Sequence, residues 1–239
     1  MKYRKYILIA SVTTFLVGAT SCKKYLDKLP LDTITTEAFY SDATQVNQAL
    51  TGVYNAFGAR TVSPGYGNPT PYYAKMDLFT EIGLERGLNG TIGSGAYSPT
   101  ATTVAEIWNA FFQTVQRANS LLFNMQRAQA VMTPADYSRV QAEARILRAL
   151  AYWHLMVYFG DVPFFTGPLE QSDYFGATRK SKKDIIDFLI PDMQDAANAL
   201  QWNPSEFGRV SRGVALGTAA RLAMLDKRYA LAASITDNI

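Results

Sequence analysis

The chain has 239 residues, 48% hydrophobic and 18% charged, which separates it from disordered chains and gives it length enough to bury a sizeable core. Its formal charge of +3 comes from Lys2, Arg4 and Lys5; without residues 1–21, which hold no acid, 20 Lys and Arg face 20 Asp and Glu, so bulk charge gives no argument for a nucleic-acid partner or for electrostatic binding to an anionic membrane. A single cysteine, Cys22, excludes an intrachain disulfide, and a single histidine, His154, leaves a carboxylate-only cation site as the most that metal chemistry could use.

The amino end opens with a basic stretch, continues with 12 mostly apolar residues from Ile7 to Gly18, and ends in the small residues Ala19, Thr20 and Ser21 before Cys22. This is the layout of a secretory signal peptide over residues 1–21. The alternative, a transmembrane anchor, needs about 20 apolar residues and is poorly served by a shorter run containing Ser11, Thr13 and Thr14. A lone cysteine directly after small residues resembles a bacterial lipobox, with Ala19 in place of the usual Leu. Read so, Cys22 is lipidated, and several acyl chains on it would anchor the protein stably, because each buried CH2 contributes about 0.8 kcal/mol. The other reading of Cys22 is a free thiol.

Residues 22–40 then read as an extended tether containing Pro30, with no helical period. Ser41 and Asp42 are N-caps for a helix with Val46, Ala49, Leu50, Val53, Tyr54 and Phe57 on one face, stopped at Gly58. Residues 58–103 are rich in Gly, Pro, Thr, Ser and Asn and read as a long inserted loop with one helix-like stretch, Tyr72 to Leu84. Loops of this length in a compact domain are functional or disordered.

Helical spacing resumes over 104–130 with Ile107, Phe111, Val115, Ala118, Leu122 and Met125. Thr133, Pro134 and Asp136 supply an N-cap, a first-turn proline and a first-turn acid for a helix running to about Phe159. One stripe of that helix is Val140, Ala144, Leu147, Ala151, Leu155 and Tyr158; a second is Ile146, Leu150, Trp153 and Val157. Apolar residues nearly all round predict burial between neighbouring helices. Gly160 to Pro163 end it, and a loop extends to residue 180. Ser181 caps the next helix, with Ile185, Leu189, Met193, Ala196 and Leu200 as its core face and a kink expected at Pro191. A helix pair at 212–226 and 228–238 follows, and its small residues Ala215, Gly217, Ala219 and Ala220 permit close packing. The expected fold is all-α, tetratricopeptide-like helical hairpins with long inserted loops, forming one domain over 41–239. The last helix has neither cap nor tail, so a domain truncated at its carboxyl end is expected.

Catalytic constellations are scarce. His154 is the one imidazole and sits in an apolar helix, where a packed histidine is the ordinary reading. No Gly-x-Ser-x-Gly elbow, phosphate-binding loop or other cofactor signature occurs. Glu81 and Glu85, four apart, read either as a carboxylate pair or as a solvated face. Glu143, Arg145 and Arg148 read as structural ion-pairing residues, and Trp108, Trp153 and Trp202 as core or interhelix packing.

Several segments in order resemble the SusD/RagB family: Cys22 to Asp27 with Pro30; Trp108, Ala118, Asn119 and Leu122; Glu143 to Ala149 through Tyr152 to Phe159-Gly160-Asp161-Val162-Pro163; Ser181 to Ala196; and Gly208, Arg209 and Val210 with Gly213 and Ala215. Pro191 and Gly217 depart from its usual helix formers. The resemblance spans residues 22–226 and implies a non-catalytic outer-membrane lipoprotein about twice this length, with no cofactor. It implies binding of glycans, or sometimes peptides, and their delivery to a SusC-type TonB-dependent barrel transporter. A neutral sugar offers hydroxyls and apolar C–H faces, so its site needs aromatic surfaces beside amides and carboxylates. Tyr66, Asn68, Tyr72, Tyr73 and Tyr97 fit that need, with Asp77, Arg86 and Asn89 nearby; the other reading of the tyrosines is packing of the loop onto the helices. The competing functions are a helical-repeat adaptor in an envelope complex without its own small-molecule ligand, and a hydrolase, which the missing base–nucleophile set disfavours.

Overall fold

The computed structural model describes residues 39–58, 60–62, 69–71, 80–83, 98–169 and 171–239. The chain divides at Phe39, and the compact unit considered below runs from Tyr40 to Ile239. Its elements are α1 (Ala43–Phe57), β1 (Arg60–Val62), β2 (Pro69–Pro71), α2 (Thr102–Asn124), a 3-10 segment (Met125–Val131), α3 (Pro134–Phe159), α4 (Gln171–Gly176), α5 (Lys182–Ala197), α6 (Arg212–Leu225) and α7 (Tyr229–Thr236). The fold is all-α as expected, with one short antiparallel ribbon pairing β1 and β2, Thr61 opposite Thr70, inside the segment read as loop.

The helices begin where side chains satisfy their first free N–H groups. Asp42 accepts from the Gln45 N–H at 2.8 Å, Thr133 from Asp136 at 3.1 Å, Ser181 from Asp184 at 3.2 Å and Ser211 from Val214 at 3.3 Å. Each cap stabilises its helix by about 1 kcal/mol. Gly160 ends α3 with φ 73°, a backbone conformation that side chains disfavour.

Helices adjacent in sequence pack side by side: α1 on α2, α2 on α3, α5 on α6 and α6 on α7. The central helix α3 touches α1, α2, α5 and α6. That explains why its middle is buried all round, from Val140 through Ala144, Ile146, Leu147 and Ala151 to Leu155, while Val157 and Tyr158 in the last turn are open to solvent. On α1 the buried face is Val46, Leu50, Val53 and Ala56. On α2 it is Ile107, Phe111, Val115, Ala118 and Leu121, continued by Met125 at the start of the 3-10 segment, so Leu121 rather than Leu122 faces the core. Of the five predicted positions, Ile185, Leu189, Met193 and Ala196 are buried on α5 and Leu200 is buried just past its end, and on α6 Ala215, Ala219 and Ala220 lie against neighbours.

Pro191 does not end α5, which runs through it as one element. Proline removes the N–H that would pair with the carbonyl four residues back, here that of Asp187. Both residues lie on the exposed face, where water can serve the freed carbonyl. The stretch read as loop through residue 180 contains the short helix α4, and a bridge between Val162 and Lys180 ties its ends together, Lys180 N–H donating to the Val162 carbonyl at 2.9 Å.

Candidate functional site

The five predicted ligand residues, Tyr66, Asn68, Tyr72, Tyr73 and Tyr97, lie outside the described residues, as do Cys22, Asp77, Glu85, Arg86 and Asn89. Of the predicted helix from Tyr72 to Leu84, only residues 80–83 are described, and they form a bend and a turn with Glu81 exposed. What the structure does place are two clefts, each beside a group of polar contacts anchored on α3.

The first group surrounds Glu143, whose carboxylate is 1% exposed. A buried ion is tolerated only when its lone pairs are met. Here Arg139 donates at 2.6 Å, the Tyr54 hydroxyl at 2.7 Å, and Arg209 lies at 3.4 Å. The Tyr54 hydroxyl also accepts the Val210 N–H at 2.9 Å, and the Arg209 guanidinium covers the Tyr54 ring at 5.4 Å. Burial first, and then the bond to Glu143, raise the Tyr54 pKa, so it stays a hydroxyl donor. The motif residue Arg209 thus pins the loop after α5 to α1 and α3. Beside this group opens a cleft of about 330 Å³ between the first turns of α3 and residues 199–210. Sequence reasoning missed it; the four-residue spacing of Arg139 and Glu143 is the signal that could have found one wall, but the partner Arg209 is 66 positions from Glu143.

The second group joins α2, α3 and α5. Arg145 donates to Asp192 at 2.8 Å and to Asp195 at 2.8 Å, and Arg148 lies 3.2 Å from the second Asp192 oxygen. Arg148 also donates to the Asn119 side chain at 2.9 Å, and Asn119 in turn donates to the Phe165 carbonyl at 3.0 Å. The Phe165 N–H donates to the Tyr152 hydroxyl at 2.7 Å. Asn119, Arg148 and Tyr152 therefore hold the loop after α3 by its backbone. Glu143, Arg145 and Arg148 are structural ion-pairing residues, as the sequence suggested. Beyond this loop lies an open groove of about 480 Å³ walled by Phe164, Phe165, Leu169 and Asp173.

His154 takes its place among aromatic rings. It stacks on Phe111 at 4.7 Å, meets Trp153 edge-on at 4.7 Å and lies near Tyr158 and Phe57. Burial, with a smaller contribution from the Arg221 charge, lowers its pKa to about 4, so it is neutral at pH 7. Trp108 packs on Phe112 and Phe159, as expected of an interhelix residue. Of the core or interhelix places expected for Trp202, the core is not the one it takes: it is 43% exposed in the loop after α5, with the Arg212 guanidinium at the start of α6 5.2 Å over its ring. Among the described residues no group of three or more His, Cys, Asp or Glu is placed to hold a metal ion, and no helix is long and apolar enough to cross a membrane.

Residues 24–224 match a SusD-like family model described as starch-binding and associating with the outer membrane. SusD-like protein P25 of Formosa agariphila is 26% identical over 91% of this chain and 43% of its own length. A crystal structure of a SusD-like carbohydrate-binding protein from Bacteroides fragilis superposes with a TM-score of 0.71 at 24% identity, over 84% of this chain and 40% of that one. A laminarin-binding SusD-like protein gives a TM-score of 0.70 at 22% identity, over 82% and 43%. The chain thus spans about four-tenths of the length of these relatives.

Proposed function

The chain belongs to the SusD-like family, and from that premise we propose that it acts in an outer-membrane lipoprotein that binds glycans and passes them to a SusC-type TonB-dependent transporter. The observation that carries this reading is the family match over residues 24–224. The carbohydrate-binding and laminarin-binding descriptions of structural relatives point to the ligand class. The chemistry of the chain fits a binder rather than a hydrolase: its one histidine is packed and neutral, and its buried carboxylate Glu143 is held by two arginines and a tyrosine.

In this reading residues 1–21 are a signal peptide, Cys22 carries the lipid anchor on the outer face of the outer membrane, and residues 22–40 are the tether. Tyr66, Tyr72, Tyr73 and Tyr97 supply stacking surfaces and Asn68 an amide for sugar hydroxyls. Calorimetric titration against an oligosaccharide panel tests the ligand class. Binding of one glycan class, weakened by Tyr→Ala changes at these positions, supports it. Failure to bind any oligosaccharide, together with failure to co-purify with a barrel transporter, overturns it and favours an adaptor role. A Cys22→Ala protein should leave the membrane fraction on cell fractionation; retention there would remove the lipid anchor from the account.

A further inference from the structure

The charged cleft at the amino end of α3 has a back wall and a rim of different character. At the back, Glu143 is buried and all its contacts come from the protein: Tyr54, Arg139 and Arg209. Arg139 is fixed further by Asn47 at 3.3 Å. At the rim stand Asp136 and Glu206, with side chains 53% and 64% exposed. Each is oriented by an arginine, Asp136 by Arg139 at 3.5 Å and Glu206 by Arg209 at 2.8 Å. An ionised carboxylate offers about four lone-pair positions, so both rim acids retain capacity for hydroxyl donors. Side chains already held in place lose little freedom when a ligand arrives.

Charge and size narrow what could enter. Asp136, Glu143 and Glu206 against Arg139 and Arg209 leave the cleft one negative charge in excess, which repels an anionic group and accepts a neutral one. A volume of about 330 Å³ lies at the small end of ligand sites, which run from roughly 300 to 1,000 Å³.

We propose that this cleft is a subsite for one unit of a neutral oligosaccharide, its hydroxyls donating to Asp136 and Glu206. The inference rests on the glycan-binding reading and adds a second contact region to the one assigned to the loop tyrosines.

The test is titration of the full-length lipidated protein in detergent with maltoheptaose and with laminarihexaose. Two variants alter exposed positions: Ala135→Trp to fill the cleft and Glu206→Gln to weaken its rim acceptor. Thermal melting of each confirms that the fold is kept. The expected result is loss of binding with Ala135→Trp and weakening of about tenfold with Glu206→Gln, the scale of one charge-assisted hydrogen bond. Unchanged affinity in both folded variants overturns the subsite and leaves the glycan-binding reading intact. Binding of neither sugar by the unaltered protein overturns the subsite and counts against that reading as well.

Discussion

The amino-terminal half of α3 carries Asp136, Arg139 and Glu143, whereas the carboxyl-terminal half carries Tyr152, Trp153, His154 and Tyr158. The first half collects ions from three places in the chain and faces a cleft; the second half packs rings against rings. The group with the most familiar catalytic chemistry, the imidazole, lies in the packing half, and burial keeps it neutral. The groups able to meet a polyhydroxylated ligand lie in the ionic half. One helix thus separates a stabilising aromatic end from a polar end, and the residue with a catalytic reputation belongs to the former.

The sharpest way to break that comparison is Glu143→Ala. It leaves Arg139 and Arg209 without their shared carboxylate and removes the acceptor for the Tyr54 hydroxyl. Breaking a buried ion pair from one side costs about 3–5 kcal/mol, so a fall of that size in denaturant stability is expected. A loss below about 1 kcal/mol would mean that the group does not hold the loop after α5.

The aromatic end predicts a pH effect. His154 has a folded pKa of about 4 against an ordinary value of 6.5, so the unfolded chain takes up its proton first as pH falls. Its contribution is complete above pH 6.5, declines between there and pH 4, and changes no further below. The full decline is of order 3 kcal/mol, at about 1.4 kcal/mol per pKa unit. The comparison of interest is unfolding free energy against pH for the natural chain and for His154→Phe. The difference should shrink or reverse in favour of the variant across that window; parallel curves would place the imidazole in water.

A smaller effect sharpens the junction of the two halves. Tyr152→Phe keeps the ring and removes the hydroxyl that accepts the Phe165 N–H at 2.7 Å. One buried donor left unmet costs about 1–3 kcal/mol. Faster amide exchange at Phe165 should accompany the loss, and unchanged exchange there would show that Asn119 and Arg148 hold the loop by themselves.

Much of the helical framework was legible because its signals are local. Asp42, Thr133 and Ser181 announce helix starts within three residues of the N–H groups they satisfy, and the face of Ile185, Leu189 and Met193 repeats at helical spacing. Pro191 lies inside α5, on the exposed face, where a missing N–H is met by water rather than by ending the helix. The ribbon of β1 and β2 was invisible because strands of three residues carry no usable alternation. The cleft was illegible for another reason: Glu143 meets Tyr54 and Arg209 across 89 and 66 positions, distances that only the packing of α1, α3 and the loop after α5 can close. The tyrosines chosen for sugar stacking rest on composition and family resemblance, and they lie outside the described residues.

The most direct test of the central claim is calorimetric titration of the full-length protein with neutral oligosaccharides, maltoheptaose and laminarihexaose first. Saturable binding that survives His154→Phe and weakens with Tyr→Ala changes between residues 66 and 97 is the predicted result. Heats no larger than dilution across the whole panel would contradict a glycan receptor and leave the helical array with proteins as its only partners.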